Sequence, residues 1–226
     1  MMISPEVYYK ECLEGKNLES IYEQINSLRE EIAGIRRELE TEEGMPRATI
    51  MPSPRTRVNS LRDYLEMAKM ALEEAGGKYE ATNEELQDQE FNASLMYMKT
   101  FVLEIGTFFS GSAKYIYTIS GETVLFDVDH SFYLKPSNLS VYEPFTREEF
   151  IRGIADLHIG EWKRQYDNSC VLDGTQWNIR IEYEDDREPV QIYGSNAYPY
   201  NFEDLLWFLD LDYEDDLQDE DSETAY

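Results

Sequence analysis

Apolar residues near the start of the chain recur at alternating steps of three and four positions. The series is Leu18, Ile21, Ile25, Leu28, Ile32, Ile35 and Leu39. This spacing forms the a/d seam of a coiled coil and predicts a coiled-coil helix over residues 1–44. With Leu18 at position a, Glu31 falls at g and Arg36 at the next e, which favours a parallel pair of identical helices. The sequence therefore predicts a homodimer through these seven apolar residues.

The same spacing continues after a short interruption. The second apolar series is Val58, Leu61, Leu65, Ala68, Leu72 and Ala75. It predicts a second helix over residues 58–80, with Gly76 and Gly77 as its stop signal. The intervening residues 45–57 contain three prolines and predict a linker. Because this linker is long enough for the second helix to fold back on the first, an antiparallel hairpin within one chain is the alternative to a dimer.

Two capping boxes mark further helix starts. Thr82 with Glu85 predicts a helix from residue 83 to about 96, although residues 95–105 could equally be a strand. Thr146 with Glu149 predicts a helix that continues to about Tyr166. A short final helix is expected over residues 202–211, capped by Asn201.

Strict alternation of apolar and polar residues marks two hairpins. Residues 114–120 and 123–129 alternate on either side of a Ser-Gly-Glu turn. Residues 177–183 alternate as well, and a return strand through Tyr193 follows the turn at 185–189. The predicted fold class is α+β, with an N-terminal coiled coil or helical hairpin, an antiparallel sheet with packed helices within residues 81–211, and an acidic tail at 212–226.

Negative charge is concentrated beyond residue 57. The chain holds 47 acidic and 20 basic residues, a formal net charge of −27. Residues 1–57 contain 11 acids and 8 bases, so residues 58–226 contain 36 acids and 12 bases. Such a field repels nucleic acid and anionic membranes and attracts basic surfaces. Acidity can also serve solubility alone, but disordered acidic chains lack aromatics, and this chain has 17 Tyr, 10 Phe and 3 Trp.

Other global features predict a cytoplasmic protein with reduced cysteines. The sequence has neither a secretory leader pattern nor an apolar run long enough to span a bilayer. Cys12 and Cys170 are too few for a disulfide framework or a cysteine-based zinc site.

Candidate catalytic and metal-binding residues are sparse. Asp127, Asp129 and His130 form a metal-like cluster, yet the alternation of their strand places both aspartates on its polar face. His158 with Cys170 is the remaining base-and-nucleophile combination, and it lacks a flanking signature. No phosphate-binding loop or dinucleotide-binding, hydrolase or zinc-protease motif occurs. We therefore expect neither an enzyme nor a cofactor.

A set of short motifs in the second half of the chain carries a family resemblance. The motifs are Glu161-Trp162-Lys163, Tyr166, Asp173-Gly174-Thr175-Gln176-Trp177 and the segment Tyr193 to Pro199. Residues 95–209 resemble an uncharacterised bacterial domain of mobile-element proteins. The resemblance implies no catalytic residues; it implies a genomic setting in which acidic DNA mimics and anti-CRISPR inhibitors occur.

Charge and setting together predict an acidic DNA mimic that blocks the nucleic-acid channel of a basic enzyme, such as a CRISPR effector nuclease. The expected partner is a basic nucleic-acid-binding protein, with no direct contact to nucleic acid or membrane. The predicted partner-binding carboxylates are Glu84, Asp88, Asp127, Asp129, Glu182, Glu184, Asp185, Asp186, Asp212, Glu214, Asp215 and Asp216. The alternative is a non-catalytic dimeric protein-interaction module whose acidity serves solubility.

Overall fold

A computed structural model describes residues 3–41, 53–107, 111–130, 144–168, 170 and 174–211. The chain divides into two compact units, Met1–Thr82 (unit 1) and Asn83–Tyr226 (unit 2). Unit 1 is helical and unit 2 combines helices with a six-stranded sheet, which gives the predicted α+β class. Every helix in the described ranges is too short or too polar to cross a lipid bilayer.

The described residues of unit 1 form three α-helices and one π-helical turn. In chain order these are α1 (Pro5–Tyr8), the π-helical turn Tyr9–Leu13, α2 (Leu18–Thr41) and α3 (Pro54–Glu74). The predicted helix over residues 1–44 is thus broken before Leu18, where Gly15 adopts a φ of +70°. Its main part, α2, starts where the apolar series starts.

The two long helices form an antiparallel hairpin. Arg57, at the start of α3, donates to Glu31 in the second half of α2 at 2.9 Å. Beyond the other end of α3, the Lys78 carbonyl accepts from the Tyr22 hydroxyl early in α2 at 2.9 Å. Contacts at both ends in this order require opposite helix directions, so the structure contains the intrachain alternative.

The heptad seam is buried within the chain. Six of its seven residues, all except Leu18, are 1–9% exposed, whereas Leu18 is 39% exposed. The facing series on α3 is buried too, with Val58, Ala68 and Leu72 fully inaccessible, except that its last member, Ala75, is exposed after the end of the helix. Glu31 pairs with Arg57 of the same chain rather than with an Arg36. The homodimer through this seam stays a prediction, and its apolar side chains are already covered in the single chain.

The second helix begins four residues earlier than predicted because a proline starts it. Ser53 accepts a hydrogen bond from the Thr56 amide at 3.1 Å, and Pro54 occupies the first helical position. Proline suits that position because the amide it lacks would have had no helical partner. The helix ends at Glu74, and Gly76 follows with a φ of +82°, which confirms the predicted stop.

Unit 2 is built on one six-stranded sheet. The strands are β1 (Met98–Thr107), β2 (Gly111–Ser120), β3 (Thr123–His130), β4 (Gln165–Asp167), β5 (Thr175–Tyr183) and β6 (Val190–Ser195). Their order is β3-β2-β1-β5-β6-β4, and every pairing is antiparallel except that of β4 with β6. Both predicted hairpins are present, as β2–β3 and β5–β6.

Helices and turns complete unit 2. They are α4 (Asn83–Ser94), the 3₁₀ turn Leu95–Tyr97, α5 (Arg147–Asp156), the 3₁₀ turn Ile159–Glu161 and α6 (Phe202–Phe208). The segment for which the sequence permits either helix or strand is therefore divided, with α4 ending at Ser94 and β1 starting at Met98.

Aromatic side chains fill the core between one sheet face and the helices. Phe150 of α5 packs on Phe101 and Tyr117 with ring centroids 5.9 and 5.2 Å apart. Phe202 of α6 packs on Trp177 of β5 with centroids 4.7 Å apart. These contacts place α5 and α6 on the same side of the sheet.

Two predicted features of the helices are wrong. The Thr146 helix ends at Asp156 instead of continuing to Tyr166, because His158 adopts a left-handed φ of 51° and turns the chain. Tyr166 then lies on β4, a strand too short to show alternation. Asn201 precedes α6, but its side chain does not cap the helix; it accepts from Trp162 Nε1 at 3.0 Å and donates to the Leu157 carbonyl at 2.8 Å.

Candidate functional site

One face of the sheet in unit 2 presents exposed and half-buried side chains, and we call it the open face. Its side chains come from alternate strand positions opposite the aromatic core. They include Val102, Glu104, Lys114, Ile116, Leu125, Asp127, Asp129, Asn178, Arg180, Glu182, Gln191 and Tyr193. Leu125 and Tyr193 are the two large exposed side chains with apolar surface on this face, at 58% and 50% exposure.

The strand register arranges charges in rows across this face. Asp129 of β3 lies opposite Lys114 of β2, which in turn lies opposite Glu104 of β1. In the next row, Asp127 lies opposite Ile116. Acidic groups therefore occur both at the β3 edge and in the middle of the sheet.

Two of the carboxylates on the open face have a cation beside them. Lys114 Nζ lies 3.7 Å from Glu104 Oε2, and Arg180 Nε donates to Glu182 Oε1 at 2.8 Å. All four side chains are partly exposed, so each pair contributes little to stability. The pairs nevertheless cancel most of the charge in the middle of the face.

Asp127 and Asp129 differ from these paired carboxylates. Both are exposed on β3, which is an edge strand, and they point to the same side, as the sequence predicted. Asp127 Oδ1 accepts from the Val128 amide at 2.9 Å. Among the described residues neither carboxylate has a basic partner within ion-pair distance. The β3 edge is therefore the negative end of the open face.

A second acidic group lies in the turn between β5 and β6. Arg187 donates to Asp185 through Nε at 2.7 Å and through Nη2 at 2.7 Å, and this hydrogen bonding lowers the pKa of Asp185. The guanidinium also lies over the rings of Tyr97 and Tyr183, at 4.5 and 5.1 Å. Asp185 is thus engaged within the chain.

The remaining predicted carboxylates divide into three groups. Glu84 on α4 is exposed, as are Glu184 and Asp186 beside the turn. Asp88 is not on an exposed acidic face with Glu84, because it is 6% exposed and points into the unit. The tail residues Asp212, Glu214, Asp215 and Asp216 lie outside the described residues.

Asp88 belongs to a cluster that sequence reasoning missed. Its Oδ2 is hydrogen-bonded to His158 Nδ1 at 2.7 Å and accepts from Asn92 Nδ2 at 3.2 Å. Of the described residues, Asp88, His158 and Glu161 form the one trio whose donor atoms all lie within 4.8 Å of one another. His158 thus faces Asp88. Asp127, Asp129 and His130, a metal-like cluster in the sequence, are not among the described groups whose donor atoms come this close.

The sequence contained only part of the signal for this cluster. His158 and Glu161 are three residues apart, but Asp88 is 70 positions away, and the predicted continuous helix would have placed His158 on a helical surface. Only the left-handed turn at His158 directs the 3₁₀ turn toward α4.

A shallow depression opens at one end of the open face. Glu104, Ser112, Gln176 and Asn178 supply its polar lining, and Gly106, Gly111 and Gly174 line it as well. A carboxylate beside amides and a hydroxyl can accept hydrogen bonds from a basic side chain.

Comparison of the chain with protein-family models, with curated proteins and with solved structures finds no match.

Proposed function

We propose that this protein is a non-catalytic acidic inhibitor that docks on the basic nucleic-acid-binding surface of another protein and excludes nucleic acid from it. The observation that carries the proposal is the pair Asp127 and Asp129, exposed on an edge strand and, within the described residues, not in an ion pair, although Lys114 lies opposite Asp129 in the register. Unpaired carboxylates at a sheet edge are available to Lys and Arg of a partner without first breaking an internal ion pair.

The charge of the whole chain favours a basic partner. A net charge of −27 produces a field that accelerates association with cationic surfaces and repels nucleic acid. The partner would therefore be a protein that normally binds nucleic acid, and the two ligands would compete.

The spacing of the carboxylates suits a surface that recognises phosphates. Alternate residues of one strand are about 6.6 Å apart, and one DNA strand presents a phosphate about every 3.4 Å of axial rise. Successive phosphates are further apart in space than this rise because the strand winds round the helix axis, so the separation of Asp127 and Asp129 is comparable with one phosphate step. Because they lie on a hydrogen-bonded strand, little ordering entropy is lost when a partner binds them.

The proposal is tested by measuring nuclease and polymerase inhibition by the full-length chain. A panel of basic nucleic-acid enzymes, including a CRISPR effector nuclease, is assayed on DNA with and without the protein. We expect inhibition of at least one enzyme that competes with DNA and weakens steeply between low and moderate salt. Inhibition that ignores both DNA and salt, or no inhibition across the panel, would contradict the proposal.

A double variant identifies the surface. Asp127→Asn with Asp129→Asn should slow association with the inhibited enzyme about threefold to tenfold at low salt. The matched control is Glu19→Gln with Glu23→Gln, which removes the same charge from an exposed part of α2 in unit 1. Equal effects of both pairs would show that net charge alone acts.

The acidic tail is tested in the same assay. Replacing Asp212, Asp215 and Asp216 by Asn and Glu214 by Gln keeps the chain length while removing four charges. A solvating tail predicts unchanged inhibition; a tail that enters a basic groove predicts slower association with little change in dissociation.

A second candidate function is an interaction module that binds by apolar packing. It is favoured by the large exposed areas of Leu125 and Tyr193 and by the paired charges in the middle of the open face. In that case Leu125→Ser would reduce binding more than the double Asn variant does, and ionic strength would have little effect.

A further inference from the structure

Asp88 is a buried carboxylate with one oxygen that makes no hydrogen bond. It lies in the middle of α4 and is 6% exposed. Its Oδ2 is bonded to His158 and Asn92, whereas its Oδ1 is inaccessible to solvent and has no hydrogen-bond partner. A buried carboxylate oxygen without a hydrogen-bond partner is costly, and a bound cation would supply the missing partner.

The chain brings the other donors to Asp88 by a close backbone approach. His158 is in the left-handed conformation and Gly160 follows in the 3₁₀ turn. A Cβ on Gly160 would lie 2.5 Å from Asp88 Cα and 2.9 Å from Asp88 Oδ1, so no larger residue fits there. The turn can therefore sit directly on α4 and hold His158 and Glu161 on either side of that contact.

Asn92 adds another buried oxygen one helical turn beyond Asp88. Its Nδ2 donates to Asp88 Oδ2, and its own Oδ1 is also buried without a hydrogen-bond partner. A purely structural pair of Asp88 with His158 uses only Asp88 Oδ2 and the imidazole. It leaves two buried oxygens of α4, Asp88 Oδ1 and Asn92 Oδ1, without a partner, and such groups are rare in folded proteins.

We propose that Asp88, His158 and Glu161 bind a divalent transition-metal cation of the zinc class. Their donor atoms all lie within 4.8 Å of one another, close enough to contract onto bonds of about 2.0–2.2 Å. One imidazole nitrogen with carboxylate oxygens is a ligand set that zinc accepts, whereas calcium and magnesium take oxygen ligands alone. Two carboxylates and a neutral imidazole carry two negative charges, which a divalent cation balances. This site is separate from the open face and independent of the proposed function.

The chain offers a direct readout because it contains only two histidines, His130 and His158. Zn²⁺ is titrated into the full-length protein in excess Mg²⁺, which occupies weak oxygen sites such as the acidic tail. Histidine ring signals are followed by two-dimensional NMR and assigned with His130→Gln. We expect the His158 ring signals to change and saturate at one equivalent of Zn²⁺ while those of His130 do not.

Affinities measured by competition with a chelator provide the second test. Removing a residue that only orients a metal ligand lowers metal affinity about 10-fold to 100-fold, and removing a ligand itself should lower the affinity further. His158→Gln should therefore lower Zn²⁺ affinity by at least about 100-fold. Glu161→Gln, at a half-buried position, should lower it by at least about 10-fold and should fold normally. The matched control His130→Gln should stay within about twofold of the parent.

Two results would overturn the proposal. One is a His158 ring that is unchanged in excess Zn²⁺, which would make Asp88 and His158 a structural pair only. The other is a Zn²⁺ affinity that is the same in Glu161→Gln as in the parent, which would assign the binding to other acidic groups. Neither result affects the inhibition assay, so the two proposals fail separately.

Discussion

Gly194 supports the main aromatic contact of unit 2, and its replacement by alanine tests that packing. Gly194 lies on β6 opposite Trp177 of β5. A Cβ at this position would lie 2.5 Å from Trp177 Cζ2 and closer still to Nε1 and Cε2. Since carbon atoms in contact are about 3.5 Å or more apart, the indole would have to move by about 1 Å.

The cost of that movement has two parts. Overpacking of a filled core costs about 1–3 kcal/mol. Displacing the indole also strains the hydrogen bond that Trp177 Nε1 donates to the Ala197 carbonyl at 2.9 Å, which contributes about 0.5–1.5 kcal/mol. Alanine recovers about 0.5–1 kcal/mol because it loses less conformational entropy than glycine in a strand. The net expectation for Gly194→Ala is a destabilisation of about 2.5 kcal/mol.

Tryptophan fluorescence reports this change specifically. All three tryptophans, Trp162, Trp177 and Trp207, lie in unit 2, so their emission follows the unfolding of that unit. In thermal unfolding the midpoint should fall by about 5–10 °C, because each kcal/mol of destabilisation lowers the midpoint by about 2–4 °C for a unit of this size. Urea unfolding should give a lower midpoint with an unchanged slope.

The result that would refute this reasoning is a Gly194→Ala variant within about 0.5 kcal/mol of the parent, well below the cost of overpacking. Such a result would mean that the Trp177 ring does not rest on Gly194. Gly34→Ala is the matched control, because it makes the same change in unit 1 and should leave the fluorescence transition of unit 2 where it was.

Three further predictions concern local features. Gly34→Ala should stabilise unit 1 by about 0.5–1 kcal/mol, because Gly34 is exposed inside α2 and a Cβ added there would have no atom within 4 Å. Unfolding in urea followed by helical circular dichroism measures this change. A destabilised variant would contradict the prediction. Thr146→Val should lower the free energy of unfolding by about 1 kcal/mol. It should also raise the pKa of Glu149, which the Thr146 hydroxyl lowers from 4.5. Since the folded-state pKa of Glu149 is lowered, its ionised carboxylate contributes stability above pH 4.5, and this contribution is lost as pH falls through the lowered value. The stabilities of parent and variant should therefore converge in acid. An unchanged Glu149 titration by NMR would reject the capping box. Burial raises the pKa of Tyr8 to about 12, so the contribution of its protonated hydroxyl to stability is complete below pH 10 and is lost as pH rises toward 12. The stability of unit 1 should therefore fall less over that range in Tyr8→Phe than in the parent. Equal falls in both proteins would show that Tyr8 is not responsible.

Periodic segments of the chain were predictable because their signal is local. The heptad seam on α2 and the facing series on α3 correspond to helices, and both alternating segments correspond to hairpins. The Thr146 capping box is present with both of its hydrogen bonds. In the helices and the capping box the backbone's partner lies within a few residues. In each hairpin the partner strand follows directly after a turn, so one stretch of sequence contains both strands.

The predicted ends of helices and strands were wrong where one residue type is compatible with two local structures. Pro54 lies in the predicted linker, but a proline can equally occupy the first turn of a helix, which it does after Ser53. Apolar residues after Asp156 continue the helical spacing, but the left-handed His158 ends the helix first. The strand β4 has three residues and gains its partner, β6, from a segment 28 positions further along.

The candidate sites, too, were predictable only where a local pattern placed their residues. Strand alternation was enough to place Asp127 and Asp129 on one exposed face, because side chains on a strand point alternately to the two sides. Whether a carboxylate meets a cation depends on strand order and helix docking, and these brought Arg180 beside Glu182 and buried Asp88 against His158.

The amino-acid order thus fixes the helices and hairpins, the α+β class and the large negative charge, since periodicity and composition act over short range or over the whole chain. Tertiary structure decided that α2 packs on α3 of the same chain, that one sheet face stays open, and that Asp88, His158 and Glu161 meet. These outcomes depend on contacts between residues far apart in sequence, where the entropy of closing long loops competes with packing and no local pattern records the result.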